Sequence, residues 1–87
     1  MVMETERSEI EIDLAVIRAA ILGDSLSRIM RKTGISEVVV RKSLTRLIRA
    51  KRIQLNRRTG YYFVTEEGEK FLSVADHKQR PLSLSSL

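Results

Sequence analysis

Residues 33–52, TGISEVVVRKSLTRLIRAKR, decide the fold. Gly34 is a natural place for one helix to stop, and Ser36 two residues later is a natural N-cap for the next. After that cap, Val40, Leu44, Leu47 and Ile48 recur at i, i+4, i+7 and i+8, the spacing of one buried helix face. Three valines stand in a row at 38–40, and a single face cannot bury all of them. Val40 belongs to the stripe. Val38 and Val39 are rotated off it onto the first turn, and Arg41, Lys42 and Thr45 lie nearer the exposed face. The stretch therefore predicts a helix that hides one apolar row and shows two valines among basic residues.

Upstream, Leu26, Ile29 and Met30 predict a helix of about two turns, capped by Asp24 or Ser25 and ended by Gly34. A helix that short is unstable alone and must dock on a neighbour. Before it, Ser8 and Glu11 fit a capping box. Ile10, Leu14, Ile17 and Ile21 then mark one face of a first helix, with Val16 and Ala20 widening it. Gly23-Asp24 is expected to stop that helix near Leu22. Downstream of Ala50 the period changes to two. Ile53 and Leu55 alternate with Gln54 and Asn56, and Tyr62 and Val64 alternate with Tyr61 and Phe63. Between them, Arg57-Arg58-Thr59-Gly60 makes a basic turn, so a β-hairpin is expected. Thr65 caps a fourth helix, with Glu66 and Glu67 favourable to its dipole and Gly68, Phe71, Leu72 and Ala75 on its apolar face. The expected fold class is α+β, mainly α: a three-helix core, a hairpin and a C-terminal helix.

With 87 residues, one domain is expected, over 1–77, followed by a mobile tail over 78–87 that contains Pro81. Hydrophobic residues make up 43% and charged residues 31%, a globular balance. A chain this short has a thin core, which dimerisation would reinforce. There is no cysteine, hence no disulfide framework, thiolate zinc site or cysteine nucleophile. The acidic N-terminal stretch does not resemble a secretory signal, and the apolar runs are too short for a membrane span. A soluble, cytoplasmic protein is expected, with no membrane partner.

The formal net charge is +5, unevenly spread. Residues 1–13 carry net −4 and residues 66–76 net −3. Residues 28–58 carry eleven basic side chains against Glu37 alone. One basic block between acidic ends is the footprint of a surface for a polyanion. The plainer alternative is a charged face that only keeps the chain in solution.

The order helix, helix, tight turn, helix, basic hairpin, helix resembles the winged helix-turn-helix DNA-binding family, in particular small regulators of bacteria, archaea and archaeal viruses. The resemblance spans roughly Ile10 to Leu72. It is carried by TGIS (33–36), by Val40, Leu44, Leu47 and Ile53, and by GYYFVTEEG (60–68), which looks like a Tyr-x-Leu-Thr-x-x-Gly ending common in such regulators. In one respect the chain departs from the pattern. The family usually has a glycine after the recognition helix, where Lys51 stands here.

The resemblance implies sequence-specific binding to double-stranded DNA by a transcription regulator, nucleoid-associated or acting in a host cytoplasm if viral. The recognition helix (about 36–50) would enter the major groove, and the wing (about 57–60) would meet phosphate or the minor groove. Carried over by position, Ser36, Glu37, Val38, Val39, Arg41, Lys42 and Thr45 face DNA. The valines suit thymine methyls, Arg41 or Lys42 suits guanine or phosphate, and Glu37 suits cytosine. Arg57 and Arg58 suit phosphate or a narrow minor groove. Arg46, with Arg28, Arg31, Lys32, Arg49 and Arg52, is expected to supply charge toward the backbone. A homodimer mated through the first and fourth helices is expected.

Two rivals remain open: a non-specific architectural or chromatin-type DNA binder, and a winged helix used for protein–protein contact. RNA binding is a third. Val38 and Val39 could equally pack on a partner, and Tyr61 and Phe63 on a dimer mate. The residues assemble no catalytic set, phosphate loop, metal cluster or effector pocket, so no cofactor or small-molecule substrate is expected, and His77 reads as solvated.

Overall fold

A computed structural model describes residues 8–79, with side-chain surroundings to Asp76. The acidic residues Glu4 and Glu6, the His77 side chain and residues 80–87 lie outside the described residues. The elements are α1 (Glu9–Ala19), α2 (Leu26–Thr33), α3 (Glu37–Arg49), β1 (Ile53–Asn56), β2 (Tyr61–Val64) and α4 (Glu66–Gln79). The expected order of four helices and one hairpin holds. α4 runs two residues past the expected domain limit at residue 77, so Lys78 and Gln79 are helical.

Each residue of the TGIS turn has a separate role. The Thr33 hydroxyl donates to the Ile29 carbonyl at 2.8 Å and accepts from the Ile35 amide at 3.2 Å. Gly34 takes a left-handed conformation (φ 72°), and its N–H donates to the Met30 carbonyl at 2.8 Å, ending α2. Ile35 is buried in the core. Ser36 stands at the N-cap of α3 with extended backbone, but its side chain makes no capping hydrogen bond.

The core sits where α1, α2 and α3 meet and is floored by Ile53 of β1. Val16, Ile17, Ile29, Val40 and Leu47 are nearly or fully inaccessible. α1 departs from its expected face. Leu14 and Ile17 are buried, but Ile10 and Ile21, at the ends of the same stripe, are exposed. Val16 and Ala20 widen the buried side as expected, and Ile12 and Ala19 extend it further. α1 also ends at Ala19, three residues short of Leu22, because the chain turns early to bring Asp24 against the hairpin. Asp24 and Tyr62 exchange backbone hydrogen bonds (3.1 and 2.8 Å), so residue 24 acts as a one-residue third strand. Ser25, not Asp24, caps α2.

The hairpin pairs Ile53 with Val64 and Leu55 with Tyr62. Its turn is held by Asn56, whose Oδ1 accepts from the amides of Arg58 (2.9 Å) and Thr59 (3.3 Å). Asp24 lies on the far side of β2, so among the described residues the other edge of β1 is free.

The junction of α3, wing and α4 is tightly built. Lys51 takes the left-handed conformation (φ 63°) that glycine would take without strain. The Lys51 amide donates to Ile48 and the Arg52 amide to Leu47, a complete Schellman ending. The Thr65 hydroxyl accepts from the Gly68 amide (3.1 Å), capping α4, and donates to the Lys51 carbonyl (2.7 Å). Gly68 lies so close to the Arg52 carbonyl and to Val64 that a Cβ there would overlap both.

Candidate nucleic-acid interface

Helix geometry sorts the side chains of α3. Val40, Ser43, Leu44 and Leu47 are buried against α1 and β1. Opposite them, Val38, Lys42, Thr45 and Arg49 recur at i, i+4, i+7 and i+11 and are all exposed, with Arg41 on the flank. Val38 is 63% exposed. Val39 does not join it. A single residue turns the helix by about 100°, which places Val39 on the flank, half-buried and packed on the core. The expectation of two outward valines therefore reduces to one.

Ion pairs sort the basic block further. Arg46 turns inward from the flank of α3. Its guanidinium reaches Asp13 with two nitrogens, at 2.7 and 3.2 Å, and Glu9 at 3.7 Å. The Asp13 hydrogen bond, with the Asp13 and Glu9 charges, raises the pKa of Arg46 against the cost of burial. The Ser43 hydroxyl donates to the same Asp13 carboxylate at 2.6 Å. Arg46, expected to supply charge toward DNA, is thus also held inside the domain by a partner thirty-three residues away.

Arg28 and Lys32 are committed in the same way. Both bind the buried Asp24 carboxylate, at 3.0 and 2.5 Å, and Lys32 also caps the end of α1 through the Ala19 carbonyl at 3.1 Å. The Lys32 hydrogen bond, followed by the Arg28 and Lys32 charges and the Ser25 amide, holds the Asp24 carboxyl below the usual carboxylate range, outweighing burial. Arg52 lies over the Phe71 ring at 4.0 Å. Arg41 pairs with Glu37 one turn earlier at 2.7 Å, entirely on the exposed face.

Of the eleven basic residues in 28–58, five are therefore engaged within the chain. Among the described side chains, Arg31, Lys42, Arg49, Lys51, Arg57 and Arg58 make no ion pair or hydrogen bond, and they fall at the end of α2, on the exposed side and end of α3, and on the wing. Of these, Lys42, Arg57 and Arg58 belong to the site expected from the sequence, Arg49 to the expected backbone charge, and Lys51 stands where the family pattern has glycine. The helical stripe through Val38, Lys42 and Thr45 already pointed to Arg49.

Ser36, uncapped, and Glu37 stand at the exposed start of this surface. The Thr45 hydroxyl donates back to the Arg41 carbonyl at 3.0 Å, so its proton is already used. The arrangement presents the exposed Val38 among cations that pair with no other described side chain. Among the described residues, no group of three acidic, histidine or cysteine side chains is placed to hold a metal ion, and no helix is long and apolar enough to cross a membrane.

Comparison with curated proteins returns no match. A family model described as winged helix-turn-helix matches residues 6–81, nearly the whole chain, and with the turn, recognition helix and hairpin found above, the chain belongs to the winged helix-turn-helix family.

Proposed function

We propose that the protein binds double-stranded DNA sequence-specifically, as a transcription regulator, with α3 in the major groove and the Arg57-Arg58 wing on phosphate or the adjacent minor groove. The observation that carries this reading is the sorting of charge. The basic side chains left without a partner among the described residues gather on the exposed side of α3, the end of α2 and the wing. Membership in a DNA-binding fold family agrees with it. The major groove, about 12 Å wide, admits one helix, and residues near its N-terminus meet base edges. On this reading Val38 contacts thymine methyls, and the Glu37–Arg41 pair holds the Arg41 guanidinium at the height of the bases. Ser36, Lys42, Arg49, Lys51, Arg57 and Arg58 grip the backbone.

A homodimer is part of the proposal. Its support is the apolar surface left on α1 and α4, where Ile10 and Val74 are more than half exposed. A two-fold dimer would present two copies of α3 about 34–36 Å apart, matching a palindromic site.

Fluorescence-anisotropy titrations with random and selected duplexes, at two salt concentrations, test the reading. Five cationic phosphate contacts per protomer predict a log–log salt slope of about −4.5 per half-site. Strong preference for selected duplexes supports a regulator. Tight binding without preference makes the protein an architectural binder, and absence of binding at low salt directs the exposed face to a protein partner.

A further inference from the structure

An open groove of about 440 Å³ runs along the free edge of β1, between it and the end of α3. It is lined by Ile48, Ile53 and Leu55 on the apolar side and by Lys51, Gln54 and Arg57 on the polar side, with Thr65 at the α4 end. Its size falls in the range of small-ligand sites, which combine apolar walls with a few placed polar groups. A phosphate backbone alone has no use for the accessible aliphatic surface of Ile48 and Leu55, beneath which Ile53 is buried in the core. Neither Lys51 nor Arg57 has an ion-pair partner among the described residues. Lys51 is also the one non-glycine residue with positive φ among them, so a cation stands at the groove where glycine would be unstrained. Gln54 adds an amide that can donate to an anion.

From this we infer a second binding site: the groove takes a free apolar monocarboxylate, its hydrocarbon body on Ile48 and Leu55 above the buried Ile53, and its carboxylate between Lys51 and Arg57. Charge complementarity selects the acid over a neutral molecule of the same shape. The two cations that hold the ligand are also two of those assigned to the DNA backbone. Occupancy therefore competes with duplex binding, and the protein senses an organic acid by releasing DNA. This regulatory consequence rests on the duplex-binding reading above, whereas ligand binding does not.

The test uses the full chain and octanoate as the probe, with 1-octanol as the uncharged control. Methyl resonances of Ile48, Ile53 and Leu55 are followed by NMR. Saturable shifts are expected below about 10 mM, with affinity rising from hexanoate to decanoate by up to about four-fold per methylene. Lys51→Met and Arg57→Met, both at exposed positions, are each expected to weaken octanoate about three- to five-fold. Duplex affinity is then measured in octanoate and in the same concentration of acetate, and only octanoate is expected to lower it. Absence of saturable shifts, or equal affinity for octanol and octanoate, overturns the site. Groove binding that leaves duplex affinity unchanged overturns the competition. If the chain binds no duplex at all, the DNA reading fails while the NMR titration still decides the site.

Discussion

Arg46 on the recognition helix and Asp13 on the first helix form a two-pronged ion pair, with Nη2–Oδ1 at 2.7 Å and Nε–Oδ2 at 3.2 Å. Ser43 completes the carboxylate's hydrogen bonding. The pair ties α3 to α1, so a residue expected by position to face DNA also fastens the domain internally. Arg46→Ala should cost about 1–3 kcal/mol of stability, because Asp13 is left largely buried with one donor. It should leave the salt slope of duplex binding intact. Arg49→Ala should do the reverse, with stability within about 0.5 kcal/mol of the parent and a slope shallower by about one. Urea denaturation and anisotropy titrations on both variants read the two effects separately.

Lys51→Gly should raise stability by about 0.5–1 kcal/mol, since the left-handed position no longer carries a Cβ. Gly34→Ala, at the matching left-handed end of α2, should lower it by about 1 kcal/mol. Nothing lies within 4 Å of a Cβ at Gly34, so backbone conformation alone sets that cost. Thermal melts of the two variants should shift in opposite directions.

Gly68→Ala tests the junction between α4 and the wing. In a free helix this change would stabilise. Here the new methyl meets the Arg52 carbonyl, which is backbone and cannot rotate away. A loss of about 1–3 kcal/mol is expected, seen as a lower urea midpoint. A neutral or stabilising result would mean that α4 stands off the end of α3.

Asp24 should give the domain an acid-sensitive link. Its pKa is lowered in the folded state, so its contribution is present above the unfolded value, about 3.9, and is lost as pH falls through the folded value. Asp24→Asn should be less stable than the parent at pH 7. The gap should close as pH drops below about 4. Chemical denaturation from pH 7 to pH 2.5 measures it, and a gap constant across that range would show that Lys32 and Arg28 do not stabilise the charged carboxylate.

The recognition helix was legible because its signals are local. Ser36, the row Val40, Leu44 and Leu47, and the glycine at 34 act within a few residues of one another. The same holds for the hairpin, where alternation and a turn suffice, and for Thr65, which caps α4 as expected. The candidate site was legible only in outline. Val38 and Val39 are neighbours in sequence, yet one faces outward and the other packs on the core, a difference set by helix rotation and by what lies beside it. A stripe also states which residues share a face and not how far the covering helix extends, which is why Ile10 and Ile21 are exposed while Leu14 and Ile17 are not.

The order of elements, the Thr65 cap of α4 and the placement of a basic block were thus determined by the sequence alone, because hydrogen bonding along a helix and side-chain periodicity act over one or two turns. Tertiary structure decided which charges remain free. Arg46 finds Asp13, Arg52 finds Phe71, and Asp24 reaches forward to Tyr62 only after packing brings distant segments together. A cation's availability depends on whether an opposite charge stands within a few ångströms, and that distance does not exist until the chain has folded.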